Sequence, residues 1–213
     1  PFLVDRAFEQ IKIDLIYNKN NVLILSAGGS YDYSNLGPTH HCPHDVSNLL
    51  SINHPCIVHP FTNNQAQEIT DHLIDNKVQA YFRISSSECH MEQFECKKVA
   101  SINFKNSLIK SNLYEKYKSI SKIEGTLSIL FGPDSKYLNN FKKIINQSEE
   151  IITVPFITNN IIEQLSNEII NFDKVFLFIP YEPSVLILRL IKSINKFKNI
   201  PQKIIALHPK NLF

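Results

Sequence analysis

Hydrophobic and polar positions along the chain repeat a strand-and-helix rhythm in two separate stretches. In the first stretch, continuous apolar runs of strand length alternate with amphipathic, helix-spaced segments, as is typical of buried parallel strands crossed by helices. The predicted strands are 21–26, 55–61 and 78–85, and the predicted helices are 5–18, 43–51 and 63–75. Thr62 and Gln65 occupy the positions of a capping box, which indicates where the last of these helices begins.

The same rhythm returns after a polar segment that has no clear period. Residues 86–122 are predicted as mostly linker, with one strand at 98–104. Beyond them, the predicted strands are 126–131, 150–156, 174–180 and 202–209, and the predicted helices are 134–146 (with Asp134 as N-cap), 159–170 and 183–197. Alternating strands and helices favour an α/β fold with two parallel-sheet β/α domains. We place them at 1–88 and 124–213, joined by a linker over 89–123.

Composition changes this picture little. The net charge of +2 over 213 residues gives no reason to expect a nucleic acid partner. No apolar run reaches the ~20 residues of a membrane span, so no membrane association is expected. The four cysteines form no CxxC pair, which is typical of reduced thiols in a cytoplasmic protein. Because Pro1 lies inside an amphipathic segment, we expect the first domain to lack its start.

Residues 36–45, LGPTHHCPHD, carry three histidines and one cysteine. Three interpretations are open: a zinc site, a cysteine–histidine nucleophile pair, or a turn that presents one imidazole. On an extended segment His40, Cys42 and His44 would point the same way, as zinc ligation requires. Pro43 favours a helix start instead, and that would break the alternation.

The same stretch, continued as LGPTHHCPHDVSNLLSIN, resembles the loop of the transketolase and deoxyxylulose-phosphate synthase family that reads D-G-P-T-H-[HQ] before a helix. Flanking segments are similar to the family's neighbouring helix and strands, in the same order: DRAFEQIKIDLIYNKNNVLIL, NHPCIVHPFTNNQAQEI and YFRIS. The resemblance covers residues 2 to about 85 and is fainter over 124–209, where TVPFI matches. It implies a pyrimidine-binding domain lacking its start, followed by a transketolase C-terminal domain.

The resemblance implies that the site binds thiamine diphosphate. His40 matches the histidine that faces cofactor and substrate and assists proton transfer, and His41 follows it as a cofactor contact. Phe2 is the candidate for the aromatic residue that stacks on the aminopyrimidine. Arg83 matches the arginine that holds a sugar phosphate, and Arg6 lies where the synthase branch has a basic residue near the substrate.

Some positions depart from the family pattern. Leu36 stands where the family has a hydroxyl-binding aspartate, and Gly28 stands where it has a histidine. The glutamate that protonates the aminopyrimidine lies upstream of Phe2 in the family. Glu9 resembles it only superficially, because its spacing to His40 is too short. The ligands of Mg²⁺ and diphosphate belong to the family's N-terminal section, so no metal ligand is assigned in this chain.

The expected function is therefore that of a C-terminal section or subunit of a transketolase-like transferase, inactive as this chain alone. It would transfer a two-carbon or acyl unit from a ketose or 2-keto acid donor, such as a sugar phosphate, to an aldehyde acceptor. The implied partner is an N-terminal diphosphate-binding section or subunit, in a homodimer or heterotetramer. The alternatives are the β-type subunit of a 2-oxo acid dehydrogenase and a degenerate assembly module, which Leu36 and Gly28 favour. The second domain is expected to serve dimer packing and support.

Overall fold

The strands of this protein form two sheets in the part of the chain that the computed structural model describes, residues 2–85, 98–101, 123–197, 201 and 203–209. The strands are β1 Leu23–Ala27, β2 Ile57–Val58, β3 Ala80–Ile84, β4 Lys98–Ser101, β5 Ile123–Leu130, β6 Glu150–Thr153, β7 Phe156–Ile157, β8 Phe172–Phe178 and β9 Lys203–Leu207. Each predicted strand thus corresponds to at least one observed strand, although β2 is only two residues long.

Helices lie between the strands as the periodicity predicts, except that the segment predicted as one helix over 134–146 divides into two short helices and the first helical segment begins at Phe2 rather than at residue 5. They are α1 Phe2–Arg6, α2 Phe8–Gln10 with its π-helical continuation Ile11–Tyr17, α3 Asp45–Ser51, α4 Asn63–Asp75, α5 Ser135–Asn139, α6 Lys142–Asn146, α7 Asn159–Ile169 and α8 Ser184–Ile194. The predicted bounds of α4 are confirmed, and α3 begins two residues after Pro43. Within the described residues, no helix combines the length and apolarity needed to cross a membrane.

The first sheet has the strand order β1-β3-β2-β7. Its first three strands are parallel, whereas β7 pairs with β2 in the antiparallel sense. The prediction of one strand over 150–156 was therefore wrong, because the segment divides at Pro155 into β6 and β7, which join different sheets. Proline cannot donate to a strand ladder; its carbonyl oxygen instead accepts from the main-chain N–H of His59 at 2.7 Å.

The second sheet has the order β4-β6-β5-β8-β9, and all its pairs are parallel. β4 lies within the segment predicted as linker and covers the first four residues of the strand predicted at 98–104. The remainder of that segment, 86–97 and 102–122, lies outside the described residues. The α/β prediction with two mostly parallel sheets is confirmed.

One apolar core connects the two sheets. Buried side chains from both halves pack in a single cluster, among them Val4, Leu49, Phe82, Leu127, Phe156 and Leu186. A smaller cluster, which includes Leu130, Ile145 and Phe178, lies against the second sheet. The predicted domain bounds stay a prediction, since β7 and this shared core tie the two units together.

Candidate functional site

Three of the residues singled out in the sequence meet on one exposed face. His40 ends a 3₁₀ turn, Pro38–His40, in the loop between β1 and α3. Its ring centroid lies 6.1 Å from that of Phe2 in an edge-on arrangement, and the Arg6 guanidinium carbon lies 5.5 Å from the Phe2 ring centroid. We call Phe2, Arg6 and His40 the aromatic patch. Because α1 is brought against the loop, residues distant in sequence become neighbours.

Hydrogen bonds explain why the loop takes this position. Ser30 and Cys42 exchange both main-chain hydrogen bonds, at 2.9 and 3.1 Å, and so close the base of the loop. Asp5 of α1 accepts from the Cys42 thiol at 3.3 Å and from Asn48 Nδ2 at 3.1 Å. Gly37 supports the turn before His40 with a φ of 85°, which favours glycine. Asp5 thus bonds the Phe2 helix to the end of the loop over residues 28–44, which we call the histidine loop, and to helix α3 that follows it.

His41 has an environment unlike that of His40. Its side chain is buried, and its ring packs edge-on against Tyr31, with centroids 5.0 Å apart. His40, by contrast, is exposed, and its Nδ1 lies 3.0 Å from Thr39 Oγ1. The contact of His41 with a cofactor stays a prediction, and its packing gives it a role in shaping the loop.

Arg83 lies in the interior rather than on the aromatic patch. Its side chain is 1% exposed, and its Nε donates to Asp45 Oδ2 at 2.8 Å. Its Nη2 donates to Ser30 Oγ at 2.9 Å, and its guanidinium lies 5.6 Å from the Tyr181 ring centroid. Tyr81 donates to the same Asp45 oxygen at 2.7 Å. The phosphate-holding role predicted for Arg83 stays a prediction, but in this structure a fully buried carboxylate neutralises the guanidinium.

The surroundings of Cys42 do not favour a nucleophilic thiol. Burial raises the pKa of its thiol to about 12, with a further contribution from Asp45 and Asp5. The thiolate is the form that attacks carbon or binds metal. Among the described residues, no three histidine, cysteine, aspartate or glutamate side chains are grouped so as to hold a metal ion.

Two departures from the family pattern have a structural counterpart. Gly28 has a φ of 68°, and a Cβ placed there would lie 2.4 Å from Tyr33 Cε2. The Tyr33 ring therefore occupies the space where a longer side chain at position 28 would begin. Leu36 is 60% exposed, so its apolar side chain extends into solvent where the family has a carboxylate.

Sequence reasoning missed Asp45 as the partner of Arg83, and it missed the contacts from the second half of the chain. Ser30 Oγ donates to the carbonyl oxygen of Pro180, a residue 150 positions later. Ser47 Oγ lies 2.6 Å from Glu182, 135 positions later. The rule that a buried arginine needs an acidic partner could have indicated Asp45. No local pattern in the sequence indicates the contacts of Ser30 and Ser47 with residues 180 and 182.

Comparison with known proteins finds relatives of the same kind as the sequence motifs indicate. No family model matches the sequence. One subunit of apulose-4-phosphate transketolase, from Phocaeicola vulgatus, is 39% identical over 83 residues, which is 39% of this chain and 27% of that protein. The protein of the same name from Actinobacillus succinogenes is 31% identical over 98 residues, 45% of this chain and 32% of that protein. The chain spans about a third or less of the length of these curated relatives.

A solved structure has the same fold over the whole chain. It is a split-gene transketolase in the form of an inactive β4 tetramer, with a TM-score of 0.64 and 15% sequence identity. The likeness covers 100% of this chain and 65% of that one. At this level of identity the likeness concerns the fold alone, whereas the matches to the two apulose-4-phosphate transketolases concern the sequence. Fold and sequence together show a chain that resembles the C-terminal section of a transketolase.

Proposed function

We propose that this chain supplies the pyrimidine-facing wall of a thiamine diphosphate site in a split or longer transketolase-like enzyme. The observation that carries the proposal is the aromatic patch. Residues that the motifs assign separately, Phe2, Arg6 and His40, lie together on one exposed face. A half-buried aromatic ring beside an exposed imidazole and guanidinium is suited to a flat heterocycle and an anionic substrate.

The residues of the patch fit one side of the cofactor. Phe2 is half-buried and offers a ring face or edge against which an aminopyrimidine packs. The Thr39 contact at Nδ1 of His40 leaves Nε2 to exchange a proton or a hydrogen bond with a substrate hydroxyl. Thiamine diphosphate, when bound, supplies the electron sink for cleavage of a bond next to a carbonyl. This chain's residues orient that carbonyl and handle its protons.

The remaining parts of such a site are assigned to a partner section. Glu9 is exposed and pairs with Lys12 at 2.9 Å, and we do not assign it as the acid that faces the cofactor ring. No metal-binding group occurs within the described ranges. We therefore assign Mg²⁺, the diphosphate and the essential glutamate to an N-terminal section or subunit that covers the aromatic patch. The chain alone is expected to be inactive, as the β4 tetramer of the split-gene transketolase is named to be.

A phosphorylated ketose is the proposed donor, because both curated relatives are named for apulose 4-phosphate. Arg6 is the exposed cation of the patch and is free of the buried pairing that engages Arg83, so we assign it to the phosphate. Leu36 removes a hydroxyl-binding carboxylate, and we expect selectivity for the sugar hydroxyls to differ accordingly. The reaction is transfer of a two-carbon unit to an aldehyde.

The test uses the chain assembled with its N-terminal section. Calorimetry with thiamine diphosphate and Mg²⁺ should show binding to the assembly and little to the chain alone. His40→Ala should lower turnover by ~10²-fold or more because proton transfer is lost, whereas His208→Ala, which removes an exposed imidazole elsewhere, should not. An unchanged rate for His40→Ala would exclude that histidine from the mechanism.

The second candidate is a non-catalytic assembly module. It is favoured by Gly28, because the Tyr33 ring occupies the space that a side chain at position 28 would need. It predicts normal assembly with the N-terminal section but no cofactor binding in any combination. Turnover of a 2-oxo acid, with none of a ketose phosphate, would instead indicate the dehydrogenase type.

A further inference from the structure

Helix α3, which directly follows the histidine loop, is fastened at its start by the segment that leads into α8. The main-chain N–H of Glu182 donates to the carbonyl oxygen of Pro43 at 2.8 Å. Ser47 Oγ lies 2.6 Å from both the main-chain carbonyl oxygen and Oε2 of Glu182, and donates to them. One residue of the second unit thus contacts both the end of the loop and the first turn of α3.

The Glu182 carboxylate is held in place for this role. Its Oε1 accepts from the main-chain N–H of Ser184 at 3.0 Å, at the start of α8. Burial would raise the pKa of Glu182, but the donors of Ser184 and Ser47 and the nearby His44 outweigh it and lower that pKa. The side chain therefore stays charged near neutral pH and joins the first turns of two helices.

The other end of α3 is fastened by the same helix α8. Arg189 donates through Nη2 to the carbonyl oxygen of Leu50 and, at 2.6 Å, to Asn53 Oδ1. Its Nη1 donates to Asn159 Oδ1 at 2.9 Å, which anchors the guanidinium within the second unit. A cation at a helix C-terminus also interacts favourably with the unpaired carbonyl groups there.

The base of the histidine loop also depends on contacts from the second unit. Ser30 Oγ donates to the carbonyl oxygen of Pro180, and Tyr181 packs beside the Arg83 guanidinium. Contacts from residues 180–182 therefore reach the start of the loop, its end and the helix beyond it. The exposed tip of the loop, which carries His40, lies between these fixed points.

We infer that Glu182 is a positioning residue: its carboxylate, bonded to Ser47 and Ser184, holds in place the segment whose main chain contacts Pro43, and so sets the place of His40. The second β/α unit thereby takes part in shaping the site rather than only packing against it. The catalytic consequence rests on the proposed function, whereas the effect on the loop does not. Glu182 touches neither cofactor nor substrate in this assignment.

Hydrogen exchange of the full chain tests the inference without any ligand. In Glu182→Ala the main-chain bond to Pro43 can still form, but the carboxylate loses its hydrogen bonds with Ser47 and Ser184, which hold residue 182 against the first turn of α3. Amides of residues 37–48 should therefore exchange about tenfold faster. Glu182→Gln, whose amide oxygen still accepts from Ser47, should recover most of the protection. Glu163→Ala, which removes an exposed ion pair with Lys196, is the matched control and should leave residues 37–48 unchanged.

Two results would overturn the inference. One is unchanged exchange over 37–48 in Glu182→Ala. The other is a rise spread evenly over both sheets, which would indicate only a general loss of stability. If Glu182→Ala does not fold, Ser47→Ala is the milder substitution, and we expect faster hydrogen exchange over the same residues, 37–48.

Activity of the assembled enzyme gives an independent readout. Glu182→Ala should lower kcat severalfold with little change in the affinity for thiamine diphosphate, since Phe2 is untouched. If no assembly binds cofactor while the exchange result holds, the proposed function fails and the positioning role stands. If cofactor binds and the loop is unaffected, the positioning role fails and the proposed function stands.

Discussion

Arg83 and Asp45 show how the surroundings of a residue decide what it does. An arginine near the end of a strand resembles a phosphate-binding motif, yet Arg83 of β3 is buried against a carboxylate that is 0% exposed. Removing one partner of a buried ion pair typically costs about 3–5 kcal/mol, because the other charge is left uncompensated. Arg83 variants are therefore expected to lose stability first, so activity loss in them would say little about substrate binding.

Buried histidines predict an acid-sensitive fold. Burial lowers the pKa of His54 to about 4, and burial together with Arg83 lowers that of His59. The unfolded chain binds protons below its ordinary histidine pKa of about 6.5, whereas the folded chain resists them, so stability falls as pH drops from about 6.5 towards 4. Each histidine contributes at most about 1.4 kcal/mol per pH unit.

Urea denaturation at pH 7.5, 6 and 5 would measure this dependence. His54→Asn should show a shallower loss of unfolding free energy than the unaltered chain, because one titrating group is gone. His208→Asn, at an exposed position, should keep the original slope. Parallel curves for all three proteins would contradict the assignment to His54.

At the scale of elements, helix α4 begins where its sequence pattern indicates. Thr62 Oγ1 accepts from the main-chain N–H of Gln65 at 3.2 Å, and Gln65 Oε1 accepts from the main-chain N–H of Phe61 at 2.7 Å. The N-cap predicted at Thr62 is confirmed, whereas the Gln65 side chain accepts from Phe61, one residue before the N-cap, rather than from Thr62 itself. Local side-chain chemistry suffices here, because donor and acceptor lie within one turn.

Thr62→Ala should destabilise the protein by about 1 kcal/mol, since a main-chain donor at the helix start loses its acceptor. Thr62→Ser retains the hydroxyl oxygen and should cost much less. Chemical denaturation of the three proteins measures the difference. Equal stabilities for the alanine and serine variants would show that the cap contributes nothing.

The whole molecule is held together across the two sheets. β7 pairs with β2 in the first sheet, while its neighbour in sequence, β6, pairs with β5 in the second. Phe156 of β7 is 1% exposed and lies in the apolar cluster shared by both halves. A disturbance at this residue should therefore reach both sheets.

Phe156→Ala is expected to lower the free energy of unfolding by about 3–5 kcal/mol, as removal of a buried ring does. Hydrogen exchange should rise in both β3 and β8. Phe141→Ala removes a partly buried ring beside Phe178 in the smaller cluster, and its effect should be confined to the second sheet. Increased exchange in only one sheet for Phe156→Ala would contradict a shared core.

The sequence by itself determined the order of most helices and strands, the caps of α4 and α5 at Thr62 and Asp134, and the motifs that carry the transketolase likeness. These depend on hydrophobic period and on contacts within one turn. Only the tertiary structure decided that 150–156 divides between two sheets, that Arg83 meets Asp45, and that Glu182 holds the histidine loop. Such partners lie tens to more than a hundred residues apart, and a contact made only after the chain packs leaves no period in the sequence.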